Sequence, residues 1–176
     1  MQLKITTAVA LLACALWLGG MIALGAIAAP TVFGIVPAPH SADAMTVVFR
    51  RFDKLAMSCA AILALTEVVR ARLSADLLRV DLVRGAAVLV AGLLAIAEGM
   101  VLAPRIEELH RGGAIRGLGE AGEALESAHH LAELAGKTEA LLLAVVIVLL
   151  AFRNIPTQTN RLPAAPVEPD AERPEG

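Results

Sequence analysis

The stretch 82-LVRGAAVLVAGLLAIAEGMVLA-103 decides the fold class of this chain. Only Arg84 and Glu98 are charged among its 22 residues. A helix of this length covers about 33 Å, which is enough to cross the hydrocarbon core of a bilayer. The apolar residues do not alternate with polar ones, which excludes a strand of a membrane barrel. We therefore predict a membrane-spanning helix that ends near Pro104.

Three other apolar runs lie before and after this stretch, and we expect each to form a helix as well. The whole pattern predicts an all-α fold: an integral membrane four-helix bundle within residues 1–155. The acidic, proline-rich residues 156–176 cannot form a core, so we predict a disordered tail there. The four helices are expected at about residues 5–29, 52–70, 82–104 and 127–153.

The composition supports a membrane protein. Of 176 residues, 57% are hydrophobic and 18% are charged, and the mean hydropathy is +0.71. Soluble domains have about 45–50% apolar and about 25% charged residues. A chain this short has too little interior to hide so much apolar surface, which argues against a soluble enzyme. The formal net charge of −2 gives no basic footprint for nucleic acid. The lipid bilayer is the expected partner, with other membrane proteins or a second copy of the chain as further candidates.

The first apolar run has an alternative interpretation as a signal peptide. Lys4 would supply the positive region, and Ala26-Ile27-Ala28 resembles a cleavage site. The run from Ile5 to Ala29 is longer than a typical signal-peptide core, which favours a retained helix.

Arginines between the second and third helices set the expected orientation. Arg70, Arg72, Arg79 and Arg84 lie in or beside this short connection, and such residues favour the cytoplasmic side. We therefore expect a multi-pass protein of the plasma or inner membrane, with both termini in the cytoplasm.

Ionisable residues at membrane depth are the candidate functional groups. Glu98 has no neutralising residue nearby in its own helix. His130, Glu133 and Lys137 follow Glu126 at spacings of four, three and four, so they share one helix face. We predict a polar intramembrane cluster of Glu98, His130, Glu133 and Lys137. The alternative is a set of interhelical salt links that only fixes the packing.

Metal-binding and catalytic patterns are weak or absent. His110, His129 and His130 are weak metal candidates, because adjacent histidines on a helix point about 100° apart. Cys14 and Cys59 lie in apolar runs, where free buried thiols are expected. The sequence has no phosphate-binding loop, dinucleotide fingerprint or nucleophile elbow. We therefore predict no resident metal, no cofactor, no catalytic residue and no enzymatic activity.

One series of residues is distinctive. Trp17-Leu18-Gly19-Gly20 is followed by Ala29-Pro30 and Phe33, and later by Phe49-Arg50-Arg51-Phe52 and Ala103-Pro104-Arg105-Ile106. With a histidine opening the last helix, the chain resembles the domain-of-unknown-function 4149 family, which is related to transmembrane protein 205. The Trp-x-Gly-Gly helix is also distantly similar to the copper-resistance D membrane domain. The likeness spans about residues 10–150.

The resemblance implies four helices and no established activity. The last helix of that family reads His, then Ser three residues on, then Asn seven residues on. This chain has His130, Glu133 and Lys137 at those places, so an ion pair replaces a neutral pair.

Helix packing is expected at four further residues. Gly19 and Gly20 would allow a close helix approach, Trp17 would fill the next layer, and Pro30 would end the first helix.

The expected function is non-enzymatic. The polar cluster would bind or pass a small solute or proton, or would serve a partner membrane protein. The alternative is a metal- or haem-linked membrane protein of copper-resistance or redox type.

Overall fold

A computed structural model describes residues 2–38, 40–73 and 78–153, which form four long helices and no strand. The all-α prediction is therefore confirmed. The predicted tail at 156–176 lies outside the described residues. The helices are α1 (Gln2–Ile35), α2 (His40–Leu73), α3 (Arg79–Arg111) and α4 (Gly119–Arg153).

The four helices close into a bundle. Each helix packs against its neighbours in the chain, and α4 returns to pack against α1. The core is built mainly from small side chains, which let the helix backbones approach closely. Its fully enclosed members include Ala10, Cys14 and Trp17 of α1, and Ala91 of α3.

Polar and apolar side chains are distributed in the opposite way to a soluble protein. Leu12, Leu65, Leu89 and Leu141, one from each helix, are 62%, 64%, 63% and 66% exposed. Inside the bundle, charged side chains are buried. Helices α1, α3 and α4 are each long and apolar enough to cross a membrane. Together these features are typical of a multi-pass membrane protein.

Helix α2 is long enough to cross a membrane but is less apolar than the other three, because charged residues interrupt its apolar stretch. It is also longer than its predicted segment at both ends, since the stretch that starts at His40 continues the same helix.

Two prolines lie inside helices, and the expectation that they end helices is wrong. Pro30 follows a π-helical segment at Ala23–Ala28, and Pro104 follows a second one at Glu98–Leu102. The proline ring lacks an N–H group and clashes with the carbonyl group four residues earlier. A wider turn just before the proline relieves both problems, so the helix continues.

The connection between α3 and α4 depends on glycine. Gly113 and Gly117 have φ angles of 77° and 72°, a left-handed conformation that residues with a Cβ atom rarely adopt. The connection returns the chain antiparallel to α3, so that α4 packs alongside it.

Candidate functional site

Two groups of polar side chains lie inside the bundle. The first, here called the arginine cluster, lies where α2 ends and α3 begins. Its members are Thr7, Glu67, Arg70, Asp81 and Arg84. The Arg84 side chain is 1% exposed. It donates from Nε and Nη2 to the two oxygens of Glu67, each over 2.8 Å, and from Nη1 to Asp81 over 2.9 Å.

The same cluster joins a third helix. The Nη2 atom of Arg70 donates to Thr7 Oγ1 of α1 over 2.5 Å. Glu67 of α2 makes a two-pronged ion pair with Arg84 of α3. Charged groups in a low-dielectric interior need partners of this quality, so the arginine cluster fixes the packing of α1, α2 and α3.

The second group, here called the carboxyl cluster, consists of Asp53 of α2, Glu98 of α3 and Glu139 of α4. Glu98 lies within electrostatic range of Asp53, and Glu139 lies within electrostatic range of both. Glu139 is 1% exposed, and the other two are partly buried. Among the described residues, no Lys, Arg or His forms an ion pair with any of the three.

Several polar atoms at the carboxyl cluster have no hydrogen-bond partner. They are Oε1 of Glu98, Oε1 of Glu139 and the indole Nε1 of Trp17 on α1. The indole group is adjacent to the Glu139 carboxyl group, but the two do not meet in hydrogen-bond geometry. Trp17 is 0% exposed. Buried donors and acceptors are rarely left unpaired, so this layer is a candidate binding site.

Glycines bring the helices together around these carboxyl groups. A Cβ atom on Gly99 of α3 would lie 3.2 Å from Cβ of Asp53, and one on Gly136 of α4 would lie 3.7 Å from Oε1 of Glu98. Asp53 and Glu98 therefore pack against the backbone of a neighbouring helix, and bulky residues at these two glycines would displace them.

The predicted cluster of Glu98, His130, Glu133 and Lys137 does not form. The last three do share one face of α4, as their spacing indicated, but this face is exposed. Lys137 pairs with Glu133 over 2.7 Å, with side chains 71% and 58% exposed. His130 lies 3.7 Å from Glu126. Within the described chain, Glu98 makes no ion pair with Lys137. The reason is helical rotation: Gly136 and Glu139 face the bundle, which turns Lys137 outward.

Sequence reasoning missed Asp53 and Glu139. Glu139 immediately precedes the apolar run that starts at Ala140, and this position marks a carboxyl group at membrane depth. It also lies three residues after Gly136, on the same face as that small residue. Asp53 is adjacent in sequence to Lys54, and two neighbouring opposite charges are usually both in solvent. In the structure Lys54 is exposed, but Asp53 is partly buried.

Two of the three histidines considered as metal candidates come together at the α3–α4 end. The rings of His110 and His129 lie 5.7 Å apart, edge to face, whereas the side chain of His130 is 66% exposed. Over the described ranges, no three His, Cys, Asp or Glu residues are grouped in a way that would hold a metal ion. Cys14 and Cys59 are buried free thiols.

The residues predicted for helix packing divide into two groups. Trp17 is enclosed in the core, and a Cβ atom on Gly20 would lie 2.5 Å from the Phe52 ring of α2. Gly19 faces outward with open space around it. Pro30 is exposed and lies within α1.

An apolar core separates the two clusters. Asp53 and Glu67 are fourteen positions apart, as are Arg84 and Glu98, which is about 21 Å along a helix. The space between them is filled by buried apolar side chains, namely Ala13, Cys14, Ala56, Cys59, Ala60, Leu63, Ala87, Val88, Ala91, Ala95, Leu143 and Val146. The carboxyl cluster and the arginine cluster are therefore separate features of the bundle.

One of three comparisons with known proteins gives a match. The model of the family described as Domain of unknown function (DUF4149) matches residues 12–114, which is more than half of the chain. The match includes Trp17, Asp53 and Glu98, and Glu139 lies after it. No curated protein and no solved structure gives a significant match. The likeness to the copper-resistance D domain stays a prediction. The chain belongs to the domain-of-unknown-function family DUF4149.

Proposed function

We propose that this protein crosses the membrane four times and binds a proton at the carboxyl cluster. The observation that carries the proposal is Glu139, which is 1% exposed, has an unpaired Oε1 atom and lies within electrostatic range of Glu98 and Asp53. Ionised carboxylates at membrane depth are expensive, and three neighbouring ones without a cation are more so. A proton removes one charge and supplies an O–H donor for the unpaired oxygens.

The spacing of charges along the helices supports a bilayer around this layer. On α3, Arg84 and Arg105 are 21 residues apart, about 31 Å, which matches the hydrocarbon thickness. Glu98 would then lie about 10 Å below the level of Arg105. Helix α2 would also span, because Glu67 is neutralised by Arg84 and the outward side chains, such as Leu65, are apolar.

The proposed orientation follows from the arginines at the α2–α3 connection. With this connection in the cytoplasm of a plasma or inner membrane, both termini are cytoplasmic. The carboxyl cluster then lies in the outer half of the bilayer and takes protons from the outer side. The apolar core below it favours binding over passage of a solute.

Metal binding is the weaker alternative. His110 and His129 are close, but in the described part of the chain no third ligand is grouped with them. Copper or haem chemistry would need further ligands from elsewhere.

Infrared spectroscopy tests the proposal on the purified full chain in lipid nanodiscs. A protonated carboxyl group has its own carbonyl stretching band, separate from that of a carboxylate. We expect this band in neutral buffer and its loss in alkaline buffer. Glu139→Gln should reduce the band, because the amide cannot carry the proton.

Glu133→Gln is the matched control on the same helix, since the Glu133 side chain is 58% exposed and paired with Lys137. This variant should leave the band unchanged. A spectrum without a protonated carboxyl band in neutral or acidic buffer would refute the proposal. So would a band that is equally strong in wild type and in a variant with Asp53→Asn, Glu98→Gln and Glu139→Gln combined.

A further inference from the structure

We propose that the crevice between α2 and α3 at the arginine cluster binds the phosphate group of an anionic phospholipid. This crevice has a volume of about 270 Å³ and opens to the outside of the bundle. Its polar lining is Glu67, Arg70, Asp81 and Arg84, and its apolar lining includes Leu82 and Ala86. It lies at the opposite end of the bundle from the carboxyl cluster, so the inference rests on the proposed membrane crossing and orientation but not on proton binding.

Arg84 has donors to spare for a phosphate. A guanidinium group carries five N–H donors, and the bonds to Glu67 and Asp81 use three of them. A planar guanidinium group suits phosphate oxygens better than an ammonium group does, and Arg84 is among the residues that line the crevice. The ion pairs with Glu67 and Asp81 hold this side chain in place, so little conformational entropy is lost when a ligand binds.

The surroundings add positive charge. Arg72 and Arg79 lie at exposed positions near the ends of α2 and α3. Residues 67–84 contain four arginines against three acidic residues. Basic residues grouped between helices at the cytoplasmic side are a known pattern for lipid headgroup recognition.

The apolar walls favour a lipid over a soluble phosphate. Leu82 at the crevice is 61% exposed. Towards the bilayer centre, Leu65 and Val68 of α2 and Leu89 of α3 are also more than half exposed. A phosphate at Arg84 would lie at the headgroup level, since this residue is about 31 Å from Arg105 along α3. Acyl chains attached to it would run over these side chains.

Native mass spectrometry of the full chain in detergent tests the inference with phosphatidylglycerol, phosphatidylcholine and free glycerol phosphate. We expect retained phosphatidylglycerol, weak phosphatidylcholine binding and no competition by glycerol phosphate. Arg72→Gln and Arg79→Gln should each weaken phosphatidylglycerol binding roughly fivefold. Both side chains are exposed, so the fold should persist, and an unchanged unfolding midpoint confirms this.

Arg51→Gln and Arg105→Gln are the matched controls, because these exposed arginines lie at the other end of the bundle. They should leave phosphatidylglycerol binding unchanged. Equal binding of the two lipids would overturn the inference, as would equal effects of all four substitutions. Displacement of phosphatidylglycerol by glycerol phosphate would assign the crevice to a soluble phosphate and would also overturn it.

Discussion

Gly19 and Gly20 are neighbours in α1, and the structure predicts opposite outcomes for the same substitution. A Cβ atom on Gly19 would have nothing within 4 Å, whereas one on Gly20 would lie 2.5 Å from Cε2 of Phe52. In both places alanine gains about 1 kcal/mol over glycine within a helix. At Gly20 the Phe52 ring, which packs against the core, must move, and overpacking of this kind costs about 1–3 kcal/mol. The gain in helix propensity is the same in both variants. The difference between their free energies of unfolding should therefore equal the overpacking cost at Gly20.

The assay is reversible unfolding in mixed micelles by titration with sodium dodecyl sulfate. Trp17 is the single tryptophan of the chain and is 0% exposed, so its fluorescence reports the loss of packing one turn from Gly20. We expect Gly19→Ala to be as stable as the wild type or more stable, and Gly20→Ala to be less stable than Gly19→Ala. In a chain that already carries Phe52→Leu, Gly20→Ala should no longer be destabilising, because the ring that the new Cβ atom would meet is absent. Equal midpoints for the two alanine variants would refute the argument that α1 and α2 need this close approach.

Three other substitutions test the roles of charged side chains by the same assay. Arg84→Met should cost about 3–5 kcal/mol because it removes the cation of the largely buried Glu67, whereas Arg105→Gln, which removes an exposed pair with Glu108, should cost less than about 1 kcal/mol. A small effect of Arg84→Met would mean that water reaches the arginine cluster. Lys137→Gln should leave the unfolding midpoint unchanged, since Lys137 is exposed and pairs with Glu133 of the same helix. A large loss of stability in this variant would instead support the predicted contact between Lys137 and Glu98.

The fold was largely predictable because its signals are averaged over many residues. Long apolar runs specify helices in a membrane, and short connections specify antiparallel neighbours. The ends of the helices were less accurate. Pro30 and Pro104 looked like stop signals, but a π-helical segment before each one lets the helix continue. Nothing in single-residue propensity distinguishes a proline that ends a helix from one accommodated by a wider turn.

The candidate site was less predictable because it depends on helix rotation. The regular spacing of His130, Glu133 and Lys137 correctly placed them on one face of α4. Spacing does not say which face turns inward, however, and charge favoured the wrong choice. Gly136 was the better indicator, because a residue without a side chain is where another helix can come closest. Glu139, on the same face as Gly136, is the buried carboxyl group.

The two polar clusters differ in a way that bears on their roles. In the arginine cluster the acids and bases are matched, and the Arg84 side chain is held by Glu67 and Asp81. Such matching gives a fixed structure, because removing either partner leaves a buried charge. The carboxyl cluster brings together Asp53, Glu98 and Glu139 without a cation among the described residues, although stability alone would favour apolar side chains there. The ion pairs of the arginine cluster already fix the packing of the helices at one end of the bundle. The unpaired acids at the other end are therefore not needed for the same purpose. Their presence therefore points to a ligand, and a proton is the smallest one that satisfies the unpaired oxygens.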